Sequence, residues 1–171
     1  MTADALRDPA ESETPRLSHL LVVQPYFGPR ATLERMLDER ADTWLGPRVE
    51  DGSVRRGRRH LIDLRLRMGA EPGRSTFKKA AYVELGRPQP LPDGDGFEVE
   101  VSWRAATLAP LFPVFSGRLV LRDGELRLEG WYAPPGGAIG AIADRALLQI
   151  AARGTGRWLL DELLDAADRF G

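Results

Sequence analysis

Residues Leu111 to Leu163 read LFPVFSGRLVLRDGELRLEGWYAPPGGAIGAIADRALLQIAARGTGRWLLDEL, and two periodicities follow one another in them. The first is two. Phe115 to Leu121 and Leu126 to Tyr132 alternate, with Leu119, Leu121, Leu126 and Leu128 on one parity and Arg118, Arg122, Arg127 and Glu129 on the other. Asp123-Gly124 between them is a strong hairpin signal, because tight hairpin turns require positive φ. Past Pro134-Pro135-Gly136-Gly137 the period lengthens to that of a helix. Ile139, Ile142, Ala143, Ala146, Ile150 and Ala151 form an apolar stripe, and Asp144, Arg145 and Gln149 fall off it. Gly154-Thr155-Gly156 interrupts this stripe. A helical glycine costs about 1 kcal/mol relative to alanine, so the interruption predicts either a kink or a place where the helix backbone lies close against a sheet. Trp158, Leu159, Leu163 and Phe170 carry the apolar character onward.

Working outward, Phe97 to Ala105 sets Phe97, Val99, Val101 and Trp103 against Glu98, Glu100, Ser102 and Arg104. His60 to Met68 sets Ile62, Leu64, Leu66 and Met68 against Asp63, Arg65 and Arg67. Phe77 to Leu85 is less regular, with Ala81, Val83 and Leu85 sharing a face opposite Lys78, Tyr82 and Glu84. Leu17 to Val23, closed by Gln24-Pro25, suits a first strand. Pro29, Leu33, Met36, Leu37 and Arg40 suit a helix, or two short ones, stopped by Gly46-Pro47. Strands with one charged face and short connections describe an antiparallel meander, since parallel strands are apolar on both faces and need crossover helices. The expected fold is α+β: a curved antiparallel sheet wrapped around a long C-terminal helix, with a short helical segment after the first strand. Residues 1–16, polar and acidic, are expected to be a disordered leader dispensable for folding, and 17–171 a single domain.

Composition narrows the function classes. The 24 Lys and Arg balance 25 Asp and Glu, which argues against nucleic-acid binding by bulk charge. The absence of cysteine removes thiol chemistry and Cys-ligated zinc. No basic, apolar leader marks a signal peptide, and no stretch approaches the ~18 apolar residues of a membrane span. The cytoplasm is therefore the default location. Arginine carries almost all the basic charge, Lys78 and Lys79 being the only lysines, as in a bacterium with a G+C-rich genome.

The order of elements resembles the helix-grip fold of the START-like (SRPBCC) superfamily, which includes polyketide cyclases, relatives of plant pollen allergens and lipid-transfer domains. Leu111 to Leu163 is similar to the C-terminal part of uncharacterised bacterial members, in which a last strand ends in a Tyr-x-Pro-Pro-Gly-Gly-like turn and a helix follows. The resemblance in order covers about residues 17–170, and the specific motif only 111–163. It implies a cavity between sheet and helix and no particular reaction, because one fold hosts enzymes and carriers alike.

Several features invite functional readings. Pro135-Gly136-Gly137-Ala138-Ile139-Gly140 has the look of a phosphate-cradling loop but lacks the first glycine of GxGxxG and a following strand, so a structural turn is the better reading. His19 and His60 are too few for a metal site unless carboxylates help, and they lie on strands at unrelated spacing. His60 shares parity with Ile62 and Leu64 and so either points inward as an acid or base or is a satisfied or rim-exposed histidine, the latter being favoured. Arg55, Arg56, Arg58 and Arg59 around Gly57 form either an anion patch or, as favoured, a solvated hairpin turn. Trp103, Phe112, Phe115 and Tyr132 either fill the core or line a cavity to which the Tyr132 phenol adds a polar contact. The expected ligand-binding set is Leu64, Leu66, Val101, Trp103, Phe112, Phe115, Tyr132, Ile142, Ala146 and Ile150, for a small hydrophobic molecule such as a lipid, polyketide or aromatic metabolite. No cofactor, metal or catalytic residue is assigned. The alternative is a cyclase or aromatase-type enzyme, which an inward pair of titratable groups within hydrogen-bond reach would favour.

Overall fold

The computed structural model describes residues 17–49, 57–67, 76–106, 114–133 and 145–170, with the side chains of 64–67, 76–79, 145–148 and 151 left out of the description. Its elements are β1 (Ser18–Pro25), α1 (Arg30–Asp38), α2 (Ala41–Leu45), β2 (Arg48–Val49), β3 (Arg58–Arg67), β4 (Thr76–Leu85), β5 (Gln89–Pro90), β6 (Gly96–Ala105), β7 (Val114–Arg122), β8 (Glu125–Ala133) and α3 (Arg145–Phe170). The strands form one sheet in the order β1-β8-β7-β6-β4-β3-β2, with β5 added to β6. Every pairing is antiparallel.

Helix α3 packs on β1 and β8 at one flank of the sheet and on β3 near the other, as well as on α1 and α2. β1 and β3 stand five strand spacings apart in the order, roughly 24 Å in a flat sheet at about 4.8 Å per strand. A helix with its side chains is only about 10–12 Å across. The sheet meets α3 at both flanks by curving around it, the helix-grip architecture that the alternation and the terminal helix lead one to expect.

Two glycine features explain how the parts fit. Asp123 and Gly124 have φ of 50° and 74°, the paired positive values of a tight β-hairpin turn. At Gly156 a Cβ would stand 3.0 Å from Val22 Cγ2 and 3.2 Å from Leu128 Cδ2. The helix runs unbroken through this point, so the glycine permits close approach to β1 and β8 and makes no kink. Gln24 Nε2 donates to Asp161 Oδ1 at 2.6 Å and ties the same two elements.

The concave face is the apolar parity of β1, β4, β6, β7 and β8. Leu20, Val22, Ala81, Val83, Leu85, Phe97, Val99, Val101, Trp103, Phe115, Leu119, Leu121, Leu126, Leu128 and Tyr132 are all buried there. At one end α1 and α2 close the interior with Leu33, Met36, Leu37 and Leu45. On the convex face Arg118 donates to Glu129 at 2.7 Å and to Glu98 at 3.2 Å. Charge-conserving swaps at Glu98, Glu100, Arg104, Arg118, Arg127 and Glu129, followed by urea denaturation, are expected to change stability by less than about 0.5 kcal/mol each. A loss above ~1.5 kcal/mol at any of them would mean that something covers this face. Its polarity stops near the β1 edge, where Leu21, Val23 and Trp131 are exposed.

Three expectations need correcting. Ile150, placed on the inward stripe, is 45 % exposed. The buried side of α3 carries Ala152, Thr155, Gly156, Leu159, Leu160 and Leu163, roughly opposite Ile150 at 100° per residue, because the close contact at Gly156 sets the rotation of the helix. Arg58 and Arg59 are not turn residues. They open β3, where Arg58 donates to the carbonyls of Leu37 and Gly86 and Arg59 holds Glu84 Oε1 through Nε at 2.8 Å and Nη2 at 2.6 Å. Finally, β1 continues through Gln24-Pro25, as an edge strand allows because it needs no amide hydrogen on its open side. The leader 1–16, Arg55, Arg56, Met68, Phe112, Ile142 and the 134–140 turn lie outside the described residues.

Candidate functional site

Strand register assembles one inward row across the sheet: His60 of β3, Val83 of β4, Trp103 of β6, Phe115 of β7, Tyr132 of β8 and Ser18 of β1 are successive partners. His60, Val83, Trp103, Phe115 and Tyr132 are buried. Trp103 and Phe115 stack, with centroids 4.0 Å apart and planes inclined by 18°. In the next row Gly117 faces Gly130, and a Cβ on either would stand within 2.9 Å of Phe115 Cζ. The missing side chains make room for the Phe115 ring to lie along the sheet and meet the indole face.

Two polar atoms of this row have no hydrogen-bond partner among the described residues. Trp103 is 1 % exposed and its Nε1–H meets no acceptor. The other tryptophans manage this group differently: Trp44 donates to Met36 O at 3.1 Å, Trp158 to Glu162 Oε1 at 3.0 Å, and Trp131 is exposed. His60, also 1 % exposed, places Nδ1 2.9 Å from Gly46 O and leaves Nε2 unpartnered. Since Gly46 O only accepts, Nδ1 carries the proton and Nε2 presents a lone pair. A third such atom, Arg58 Nε, belongs to a guanidinium already engaged with Leu37 and Gly86.

Burial lowers the His60 pKa below its ordinary 6.5; the Gly46 contact and Asp42 oppose the shift, while Arg58 and Arg48 reinforce it. The unfolded chain, with an ordinary histidine, therefore binds the proton first as pH falls. Between about pH 6.5 and the lower folded value, protonation favours unfolding, so stability drops on acidification. Thermal midpoints at about pH 7 and pH 5.5 should fall further for the natural protein than for His60→Asn. Equal falls would show that His60 titrates alike in both states.

Of the expected ligand-binding residues, Val101, Trp103, Phe115 and Tyr132 come together on the concave face. Leu64 and Leu66 lie in β3 and Ala146 in α3, with side chains outside the description; Ile150 is turned away. His60, outside the expected ligand-binding set, is buried on the inward face, as its parity with Ile62 implies. Two surface hollows, of about 390 Å³ beside Phe27 and Arg30 and about 450 Å³ around Arg118 and Trp131, touch neither His60 nor Trp103. Among the described residues no His, Cys, Asp and Glu cluster suits a metal ion, and no helix is long and apolar enough to cross a membrane.

The fold and this row define a helix-grip protein with a largely apolar concave interior. No family model matches the sequence, and no curated protein does. Among solved structures the chain is similar to the di-domain ARO/CYC StfQ from the steffimycin biosynthetic pathway, at 18% identity and a TM-score of 0.44, over 90% of this chain and 50% of that one. It is also similar to DynU16, from the dynemicin biosynthetic locus, at 13% identity and a TM-score of 0.38, over 90% of this chain and 46% of that one. The chain thus spans about half the length of each.

Proposed function

We propose that this protein binds or carries a small hydrophobic molecule, of the lipid, polyketide or aromatic-metabolite class, between the concave face and α3, in the cytoplasm. The observation that carries the reading is the indole N–H of Trp103, buried without an acceptor among the described residues beside the stacked Phe115 ring. Buried donors in native proteins are almost always satisfied, by protein, water or ligand. A bound molecule that lies against these rings satisfies the donor and gains affinity from apolar burial at about 25 cal/mol per Å².

Native mass spectrometry of the purified protein tests this directly. The expected spectrum holds a species heavier than the chain by one small molecule, which organic extraction removes. A spectrum of bare chain, together with no saturable binding of N-phenyl-1-naphthylamine, would overturn the reading. One observation favours an enzyme of the cyclase or aromatase type as the second reading: the His60 lone pair is available to a substrate proton. The inward pair of hydrogen-bonded titratable groups that such chemistry would favour is not found among the described residues, where His60 and Arg58 share a face and no hydrogen bond joins them.

A further inference from the structure

The structure assigns to His60 and Trp103 together the selection of the ligand by its polar groups: His60 Nε2 accepts from a ligand hydroxyl and Trp103 Nε1–H donates to a ligand carbonyl. This rests on the binding reading above and adds the chemistry the ligand must carry. Both side chains are 1 % exposed, and both atoms lack partners among the described residues. They stand in one inward row with only Val83 between them, two strand spacings or roughly 10 Å apart at the backbone.

Their polarities are fixed and opposite. An indole nitrogen only donates. His60 only accepts at Nε2, because Gly46 O holds the proton on Nδ1 and burial holds the ring neutral. A ligand that matches both presents a donor near β3 and an acceptor near β6, as a hydroxy-ketone or phenolic ketone does across a small ring system. A fatty-acid carboxylate, which only accepts, leaves the His60 lone pair buried and unmet. A hydrocarbon leaves both unmet. Sites built to hydrogen-bond a ligand group discriminate strongly against analogues that lack it, since the protein's own polar atom is then stranded.

Three naphthalene probes separate the arms: 6-acetyl-2-naphthol carries both groups, 2-acetylnaphthalene lacks the hydroxyl, and 2-naphthol lacks the carbonyl. Titrated into the full chain by calorimetry, the first is expected to bind about tenfold more tightly than either of the others. In Trp103→Phe the preference for the acetyl group should vanish and that for the hydroxyl remain. His60→Asn keeps a donor where Nδ1 meets Gly46 O and deletes Nε2, so the hydroxyl preference alone should vanish; His60→Gln, which restores a polar atom near the Nε2 position, should recover part of it. The ranking in the natural protein is read without any substitution, so a variant that fails to fold does not block the test. Equal affinities for the three probes would overturn this assignment and leave the binding reading standing. Saturable binding of N-phenyl-1-naphthylamine but tighter binding of oleate than of 6-acetyl-2-naphthol would also overturn it. No saturable binding of any of these molecules would overturn both.

Discussion

Trp103→Ala is expected to lower stability by about 3–5 kcal/mol, the usual cost of deleting a large buried aromatic, and with it the thermal midpoint by roughly 6–20 °C. The indole is 1 % exposed and stacked on Phe115 at the centre of the concave row, so its removal leaves a hole where β6 and β7 face the interior. The conservative change separates packing from polarity. Trp103→Phe keeps most of the ring contact and removes an N–H that has no acceptor, and a buried unpaired donor itself costs about 1–3 kcal/mol. The two effects oppose one another, so the phenylalanine variant should lose less than about 1.5 kcal/mol. Urea denaturation of the three proteins checks both numbers. A phenylalanine variant as unstable as the alanine one would mean that the indole N–H has a partner within the protein.

Gly117→Ala is expected to cost about 3 kcal/mol, the upper end of ordinary overpacking. Its Cβ would fall on the Glu129 carbonyl oxygen and stand 2.7 Å from both Gly130 Cα and Phe115 Cζ. The first two are backbone atoms of the neighbouring strand and cannot step aside without parting β7 from β8. Gly130→Ala meets the Gly117 Cα, the Ser116 carbonyl and Phe115 Cζ, the last at 2.9 Å, and should cost a similar amount. The double variant should lose less than the sum, because both changes part the same two strands and displace the same ring. Near-ultraviolet circular dichroism should change with either substitution, since Phe115 can no longer lie along the sheet against Trp103. Losses under ~1 kcal/mol would show that the glycine pair is incidental to the aromatic stack.

Strand parity was legible because each strand has one face against water and one against the interior, and a period of two records this in every residue. Hence Phe97, Val99, Val101 and Trp103 were aimed correctly. A bulge at Gly117 or Gly130 would turn Phe115 or Tyr132 outward; the register runs through both without interruption, and both aromatics are buried. β2 and β5 were not legible, because each is only two residues long and leaves no period to read. The helix stripe was read in the wrong phase at Ile150: successive apolar residues four apart drift around a helix of period 3.6, and only a contact such as Gly156 on Val22 fixes which side faces inward.

The sequence by itself determined the class of fold, the split of each strand into a dry and a wet face, and a close approach or kink at Gly154-Thr155-Gly156, all consequences of local period and backbone freedom. It could not determine which polar groups in the interior lack partners, since that depends on atoms distant in the chain. His60 faces a lone carbonyl acceptor because α2 ends at Gly46 beside β3, and Arg58 is held inside by carbonyls from α1 and from the end of β4. Trp103 meets no acceptor among the described residues, and its neighbours in the row, Val83 and Phe115, offer side chains without polar atoms. Tertiary structure decided these points because a hydrogen bond requires atoms about 3 Å apart, and separation along the sequence carries no such distance.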